Sequence, residues 1–200
     1  RPRRSTRFPY TTLLRSDKSK SPFDALAGEI MRERAGADIA FLPGVGYGVT
    51  IEPGPIKPEQ LYILLPHPSK MVTMTLTGRQ VLEILEQSAS NQKTSNPMDA
   101  VGGLVQTSGL AFTMDLNRPD GRRVSNVLVG DQPLSPDRSY KIVTNAGMRE
   151  GIHNYRTLAQ GRDVREDPKS VTEHVEDGFR QRRSVGLPAL GRVKLIPASE

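Results

Sequence analysis

Glycine and proline are concentrated in one stretch of the sequence, and this stretch limits the folds that are open to the chain. Residues 43–56 read PGVGYGVTIEPGPI and contain four glycines and three prolines. Glycine permits positive φ angles and proline fixes φ, so we predict an irregular loop. The loop follows the apolar run Asp38–Leu42, which is typical of a buried strand. A dinucleotide-binding fold is disfavoured because prolines, and not a long helix, follow the glycines.

The rest of the sequence mixes helical and extended patterns without a regular order. Ser21 suits the N-cap of a helix that Gly36 ends. Thr77 and Gln80 form a capping box for a second long helix, which runs to about Ser90. The other predicted elements are a short helix from Pro58 to Leu64, strands at 69–76, 110–116, 124–129, 140–144 and 191–196, and a last helix from Asp167-Pro168. We therefore predict an α+β fold, a layered domain with a mixed β-sheet flanked by helices.

Positive charge is concentrated at the N-terminus. The chain has a net charge of +6, and residues 1–16 contain five arginines and no acidic residue. Residues 17–200 therefore carry only +1, which is +6 less those five arginines. The segment 1–16 shows neither helical nor strand periodicity, and we predict a non-native or disordered leader there, with the domain proper at 17–200. Because the domain proper is nearly neutral, we predict no nucleic-acid partner.

The residues themselves offer little catalytic chemistry. The absence of cysteine excludes disulfides, thiolate nucleophiles and zinc–thiolate sites. The histidines, His67, His153 and His174, lack the spacing of a metal-binding pair, and His174 is predicted on the solvated face of the last helix. No P-loop or G-x-S-x-G elbow is present, and no apolar run reaches the ~18 residues of a membrane span. We therefore predict no catalytic residue, no metal site and no membrane span in this chain.

Two irregular loops, each of which follows a buried strand, carry the candidate binding residues. Loops that are held by a rigid sheet commonly provide binding groups. The predicted substrate-binding residues are Tyr47 and His67 for the first loop, and Met148, Arg149, His153 and Tyr155 for the second. The alternative for each is an ordinary surface or packing role.

The order of the motifs resembles that of the C-terminal domain of 5'-nucleotidases. Six segments carry the resemblance across residues 19–196: SPF at 21–23, GADIA at 36–40, PGPI at 53–56, LTG with VLEILE at 76–86, LVQTSGLAF at 104–112 and YKIVTN at 140–145. The resemblance implies a substrate-binding domain that follows a metallophosphoesterase domain with two divalent metal ions. It also implies a periplasmic or extracellular hydrolase of nucleotides or other phosphoesters, of which this chain is a fragment that is inactive alone.

The sequence departs from the family at the positions that the resemblance assigns to the substrate clamp. The family's glycine-rich loop usually ends in arginine, where this chain has Gly48. The first clamp ring corresponds to His67, and the second falls near Gly147 or Met148, where no ring is present. His153 stands at a position that is acidic in the family. The nucleotide clamp of the family is therefore incomplete in this sequence, and both a nucleotide and another phosphoester stay open as the substrate.

Three functions are compatible with the sequence. The motif order favours the substrate-binding domain of a nucleotide or related phosphoester hydrolase. The loop Pro43–Gly48 resembles that of sulfur-oxidation thiosulfohydrolases, which share the two-domain plan. The third function is a stand-alone binding module, such as a nucleic-acid binder that uses the arginines of residues 1–16.

Overall fold

A five-stranded and a four-stranded β-sheet form the framework of the chain in its computed structural model. The structure describes residues 10–11, 14–15, 21–44, 50–93, 101, 103–182, 184–186 and 192–199, with the backbone alone for residues 10, 11, 14 and 15. The strands are β1 (Tyr10–Thr11), β2 (Leu14–Arg15), β3 (Ile39–Leu42), β4 (Thr50–Ile51), β5 (Gly54–Pro55), β6 (Lys70–Thr77), β7 (Gln106–Ser108), β8 (Leu110–Asp115), β9 (Val124–Val129), β10 (Gln132–Pro133), β11 (Ser139–Asn145), β12 (Arg162–Ser170), β13 (Ser184–Val185) and β14 (Val193–Ile196). The helices are α1 (Pro22–Ala35), α2 (Pro58–Leu64), α3 (Gly78–Gln92), α4 (Ala146–Arg149) and α5 (Val171–Gln181), with 3-10 turns at Ile152–Asn154 and Arg156–Gln160. The α+β prediction is confirmed.

Helices α1 and α3 begin at the residues that their N-caps predict. The Ser21 hydroxyl accepts a hydrogen bond from the Asp24 amide at 3.0 Å, and α1 ends at Gly36, which has φ +55°. Before α3, the Thr77 hydroxyl accepts from the Gln80 amide at 3.3 Å, and the Gln80 side chain accepts from the Thr77 amide at 2.9 Å. These contacts satisfy amide groups that have no partner within a helix.

The five-stranded sheet has the order β12-β6-β11-β3-β7, and only β3 and β11 are parallel. Asn145 at the end of β11 is paired with Met71 near the start of β6. Leu42 at the end of β3 is paired with Gln106 at the start of β7, and Ser170 at the end of β12 is paired with Lys70. These pairs define one edge of the sheet, which we call the loop edge. Connections from five strands therefore meet there.

Each face of this sheet has its own apolar core. Helices α1, α2 and α5 cover one face, whereas α3 and the four-stranded sheet, of order β10-β9-β8-β14, cover the other. The first core contains Phe23, Ile30, Leu61, Val143 and Phe179, among others. The second contains Phe41, Leu85, Phe112, Ile142 and Tyr155, among others. Burial of these side chains supplies the main driving force for the layered arrangement.

The last helix begins later than predicted, because a strand occupies the residues before it. The sequence placed the start at Asp167-Pro168, whereas α5 begins at Val171. Ser170 is its N-cap and forms a capping box with Glu173. The preceding β12 is a largely exposed edge strand without apolar alternation, and its register shifts between Glu166 and Ser170, around the proline. Such edge strands carry no period-2 signal and tolerate proline.

The prediction that His174 lies on a solvated face is wrong. Its side chain is buried, and its Nδ1 accepts a hydrogen bond from Arg34 Nε at 3.1 Å. Its Nε2 lies 3.0 Å from Asp167 Oδ1, and Arg34 also pairs with Asp177 at 3.2 Å. The buried imidazole thus has a hydrogen-bond partner at Nδ1, while Nε2 lies close to the Asp167 carboxylate without forming a hydrogen bond to it.

Part of the segment 1–16 pairs with strands of the domain. Strand β1 is parallel to β13 and antiparallel to β5, and β2 is antiparallel to β4. Four residues of the predicted leader therefore have backbone partners in the domain, while its non-native origin stays a prediction. Among the described residues, no helix combines the length and apolarity that a bilayer span needs.

Candidate functional site

The loop edge is the part of the sheet where ligands are expected. In sheets that contain parallel strands, the crevice beyond the carboxyl ends of the strands is a common binding position. The carboxyl ends of both parallel strands, β3 and β11, lie at this edge. The structure thereby brings together the connections that follow β3 and β11 with those that precede β6 and β7.

A close backbone approach joins two of these connections. Gly44 has φ +62°, and a Cβ atom at this position would overlap the carbonyl oxygen of Leu104. The Gln106 side chain donates to the same carbonyl at 2.9 Å and accepts from the Ser21 amide at 3.1 Å. The start of the glycine-rich loop, the start of β7 and the N-terminus of α1 are therefore held as one unit.

Two of the predicted binding residues lie underneath the second loop. Met148 and Tyr155 are completely buried. The Tyr155 hydroxyl donates to Ser88 Oγ at 3.3 Å, and burial raises the pKa of this phenol although its hydrogen bonds lower it. The Met148 amide donates to Asn145 Oδ1 at 2.8 Å, which caps α4. Because these side chains have no exposed surface, their place is to support the loop rather than to face a ligand.

Two other predicted residues of this loop keep partial exposure. The Nε of Arg149 is enclosed and donates to no acceptor in the described part of the chain. His153 is half-buried, and desolvation lowers the pKa of its imidazole, so the ring is neutral at about pH 7. A guanidinium whose Nε has no acceptor among the described residues and a neutral imidazole are both suited to hydrogen bonds with a bound molecule.

His67 lies at the same edge, on the connection that precedes β6. Its side chain is exposed, and its carbonyl accepts from the Ser69 amide at 2.7 Å in a tight turn. The Ser69 carbonyl in turn accepts from the Val171 amide at 2.8 Å, which ties the turn to α5. Tyr47 lies outside the described residues. The structure thus places the segments of His67, Arg149 and His153 at one edge of one sheet.

Asn91 is a residue of this region that the sequence did not indicate. It is nearly buried on α3, and its Nδ2 donates to the His153 carbonyl at 2.7 Å. Its Oδ1 accepts from the Asn154 side chain at 3.3 Å. The predicted helix ended at about Ser90, so Asn91 fell into a loop, and no terminal glycine marked the true end.

The chain offers no ligand set for a metal in the residues that the structure describes. No group of three or more His, Asp or Glu side chains is placed to hold an ion there. The resemblance assigns the two divalent metal ions to a preceding metallophosphoesterase domain and not to this chain.

The chain is similar to proteins of one family. Residues 5–160 match the family model of the 5'-nucleotidase C-terminal domain. The trifunctional nucleotide phosphoesterase YfkN of Bacillus subtilis is 30% identical over 134 residues, which are 64% of this chain and 9% of that protein. This chain therefore spans a small part of the relative that it matches.

Solved structures show the same similarity over almost the whole chain. A 5'-nucleotidase precursor from Thermus thermophilus superposes with a TM-score of 0.84 at 26% identity, over 98% of this chain and 40% of that one. The sulfate thiohydrolase SoxB from Thermus thermophilus superposes with a TM-score of 0.79 at 26% identity, over 97% of this chain and 36% of that one. In both cases most of the other protein lies outside the similarity.

Proposed function

This chain belongs to the 5'-nucleotidase C-terminal domain family, and on that premise we propose that it is the substrate-binding half of a secreted, metal-dependent phosphoester hydrolase. The observation that carries the proposal is the loop edge, where Arg149 has an enclosed Nε without an acceptor in the described residues. His67 and His153 lie on connections at the same edge. Such an edge can bind an anionic substrate, whereas the described residues include no metal site.

The proposed protein divides binding and reaction between two domains. A preceding domain holds two divalent metal ions, which when bound supply an activated water and stabilise charge on the phosphoryl group. In this chain, Arg149 donates to an anionic oxygen of the substrate. His67, His153 and Tyr47 contact its non-reacting part, while Met148 and Tyr155 hold the loop in place from below.

The direct test of this function uses the complete protein with a divalent metal and a panel of nucleotides. We expect phosphate release from at least one nucleotide, and none from residues 1–200 alone. A complete protein that releases no phosphate from any of them would contradict the proposal. Robust phosphatase activity of the isolated chain would contradict the assignment of binding and reaction to two different domains.

The family resemblance also suggests a periplasmic or extracellular location, which fractionation of the cells tests.

The role of Arg149 is tested by its replacement with an uncharged residue of similar length. Arg149→Gln removes a charged donor that serves binding, so KM should rise about tenfold with little change in kcat. Arg79→Gln is the matched control, because Arg79 is exposed at the opposite end of α3 and pairs with exposed Asp137. Equal kinetics for the two variants would remove Arg149 from the binding site. His67→Ala is expected to raise KM as well.

A second candidate function is favoured by the superposition with the sulfate thiohydrolase SoxB. In that case the complete protein is a thiohydrolase that releases sulfate, and it does not release phosphate from nucleotides. Sulfur-oxidation genes beside its own gene would support this candidate. Parallel assays of phosphate and sulfate release therefore decide between the two functions.

A further inference from the structure

Ile152 is a large apolar side chain that the fold exposes at the loop edge. It is 42% exposed, and it lies in a segment whose neighbours adopt left-handed backbone conformations. Gly151 has φ +87°, His153 has φ +55° and Asn154 has φ +64°. Non-glycine residues in this region are strained and persist only where their surroundings impose the conformation. Such strain is typical of loops that present a side chain for a function.

Asn91 imposes this conformation from α3. Its side-chain amide binds the segment twice, through the His153 carbonyl at 2.7 Å and the Asn154 side chain at 3.3 Å. Because Asn91 is nearly buried, water competes little for these hydrogen bonds. The two bonds therefore fix the backbone on the C-terminal side of Ile152.

Gly147 provides the space over which Ile152 lies. The Cδ1 atom of Ile152 is 3.0 Å from the position that a Cβ at Gly147 would occupy, and its Cγ1 is 3.7 Å from it. A side chain at residue 147 would compete for this space. The apolar surface directly after β11 is consequently that of Ile152, with buried Met148 beneath the same turn.

We propose that Ile152 is a specificity residue that contacts an apolar ring in the non-reacting part of the substrate, and that Asn91 is its positioning residue. The inference rests on the proposed function and deepens it. An aliphatic side chain held at a fixed place favours a substrate with a ring over a small polar ester, because contact removes apolar surface of both from water. Arg149, on the helix just before, serves the anionic group of the same substrate.

The test compares two phosphoesters in the complete protein, AMP with a ring and glycerol 3-phosphate without one. In Ile152→Ala, KM for AMP should rise about tenfold with kcat unchanged, while the kinetics of glycerol 3-phosphate stay the same. Val164→Ala is the matched control, since Val164 is 40% exposed on β12, and it should change neither substrate. Equal losses for both esters, or no loss for AMP, would overturn the proposal.

A binding measurement separates this inference from the proposed function. The δ1-methyl resonance of Ile152, assigned by its loss in Ile152→Val, is followed in the complete protein as adenosine is added. We expect this resonance to shift and that of Ile63, which is exposed on α2, to stay. If neither ester is hydrolysed, the proposed function fails, and the methyl resonance then tests the role of Ile152 by itself. An Ile152 resonance that does not shift when adenosine is added overturns the inference.

The positioning role of Asn91 predicts that its effect on substrate binding depends on the presence of the Ile152 side chain. Asn91→Ala should raise KM for AMP about fivefold, with kcat unchanged, because the loop loses two hydrogen bonds. In an Ile152→Ala background the same change should have no further effect on KM, since the contact that it positions is absent. A purely structural role would lower the thermal midpoint and leave the KM of AMP unchanged. Additive effects on KM would overturn the positioning role.

Discussion

At the scale of single residues, Asp24 has a titration that differs from that of an ordinary carboxylate. It lies in the first turn of α1, where burial raises its pKa to about 6 and a hydrogen bond with the Ser21 side chain lowers it in part. In the unfolded chain the same carboxyl titrates near 3.8. Between pH 3.8 and about pH 6, the folded state therefore binds more protons than the unfolded chain. The free energy of unfolding therefore falls as the pH rises through this window and stays lower above it.

Asp24→Asn removes this pH-dependent cost while it keeps the shape of the side chain. The variant should be more stable by about 1–2 kcal/mol near pH 7.5, a value reduced from about 3 kcal/mol because the side chain is partly exposed. Near pH 2.5 the two proteins should be equally stable, since Asp24 is then protonated in both the folded and the unfolded state. Urea denaturation at the two pH values measures the difference. Asp137→Asn, at an exposed site, should have little effect at either pH, and a lower stability of Asp24→Asn near pH 7.5 would contradict the argument.

His174 is a second residue whose surroundings decide its role. His174→Ala leaves Arg34 Nε without its acceptor and removes a buried ring, so the free energy of unfolding should fall by about 2–3 kcal/mol. The change can be measured by urea denaturation at neutral pH. Glu173→Ala on the same helix removes only an exposed cap contact and should cost about 1 kcal/mol or less. Similar costs for both variants would show that the buried contacts contribute little.

The sequence could indicate which loops carry the site but not which of their side chains face outward. Tyr155 and His153 are two residues apart, yet the first is completely buried and the second is half-buried. This difference arises from Ser88 and Asn91, which contact the two residues from a helix more than sixty positions away. A local pattern contains no information about such contacts. The same reason explains why His174 was assigned to the surface.

At the scale of elements, the closest approach of α1 and α5 depends on Gly178. A Cβ atom at Gly178 would overlap Ile30 Cγ2 of α1. Overpacking in Gly178→Ala should lower the free energy of unfolding by about 1–3 kcal/mol. The better helix propensity of alanine should restore about 1 kcal/mol of this loss. Chemical denaturation measures this net loss.

A double-mutant cycle provides the control for this helix contact. In an Ile30→Ala background the space beside residue 178 is open, so Gly178→Ala should become neutral or stabilising. We expect a coupling energy of about 1 kcal/mol or more between the two changes. Purely additive effects would show that the helices separate without cost. They would then remove Gly178 as the cause of the close packing.

Elements with local signals were predicted, and an element defined only by its partner was not. Both boundaries of α1 follow from Ser21 and Gly36, and the start of α3 follows from its capping box. Strand β12 has no such signal, because it is exposed and charged, and its pairing with β6 alone makes it a strand. The boundary of α5 was misplaced for this reason. The pairing of strands distant in sequence, which creates the loop edge, is likewise not visible in any local pattern.

At the scale of the whole molecule, the segment 1–16 differs from the rest of the chain in its charge. The segment contributes five of the +6 net charges and pairs through its backbone at residues 10–11 and 14–15. Its removal should therefore change the electrostatics of the chain far more than its fold.

Deletion of residues 1–16 tests this separation. The shortened chain should keep its cooperative transition and unfold within about 10 °C of the original, because it loses the six described backbone pairings with β4, β5 and β13 and keeps the core residues from Phe23 onward. Its retention on a polyanionic column should disappear at physiological salt, since its net charge falls to +1. Replacement of the five arginines by glutamine in the full chain is the matched control and should abolish retention equally. Loss of the cooperative unfolding transition would make the segment an integral part of the fold, and unchanged retention would place an anion-binding surface on the domain itself.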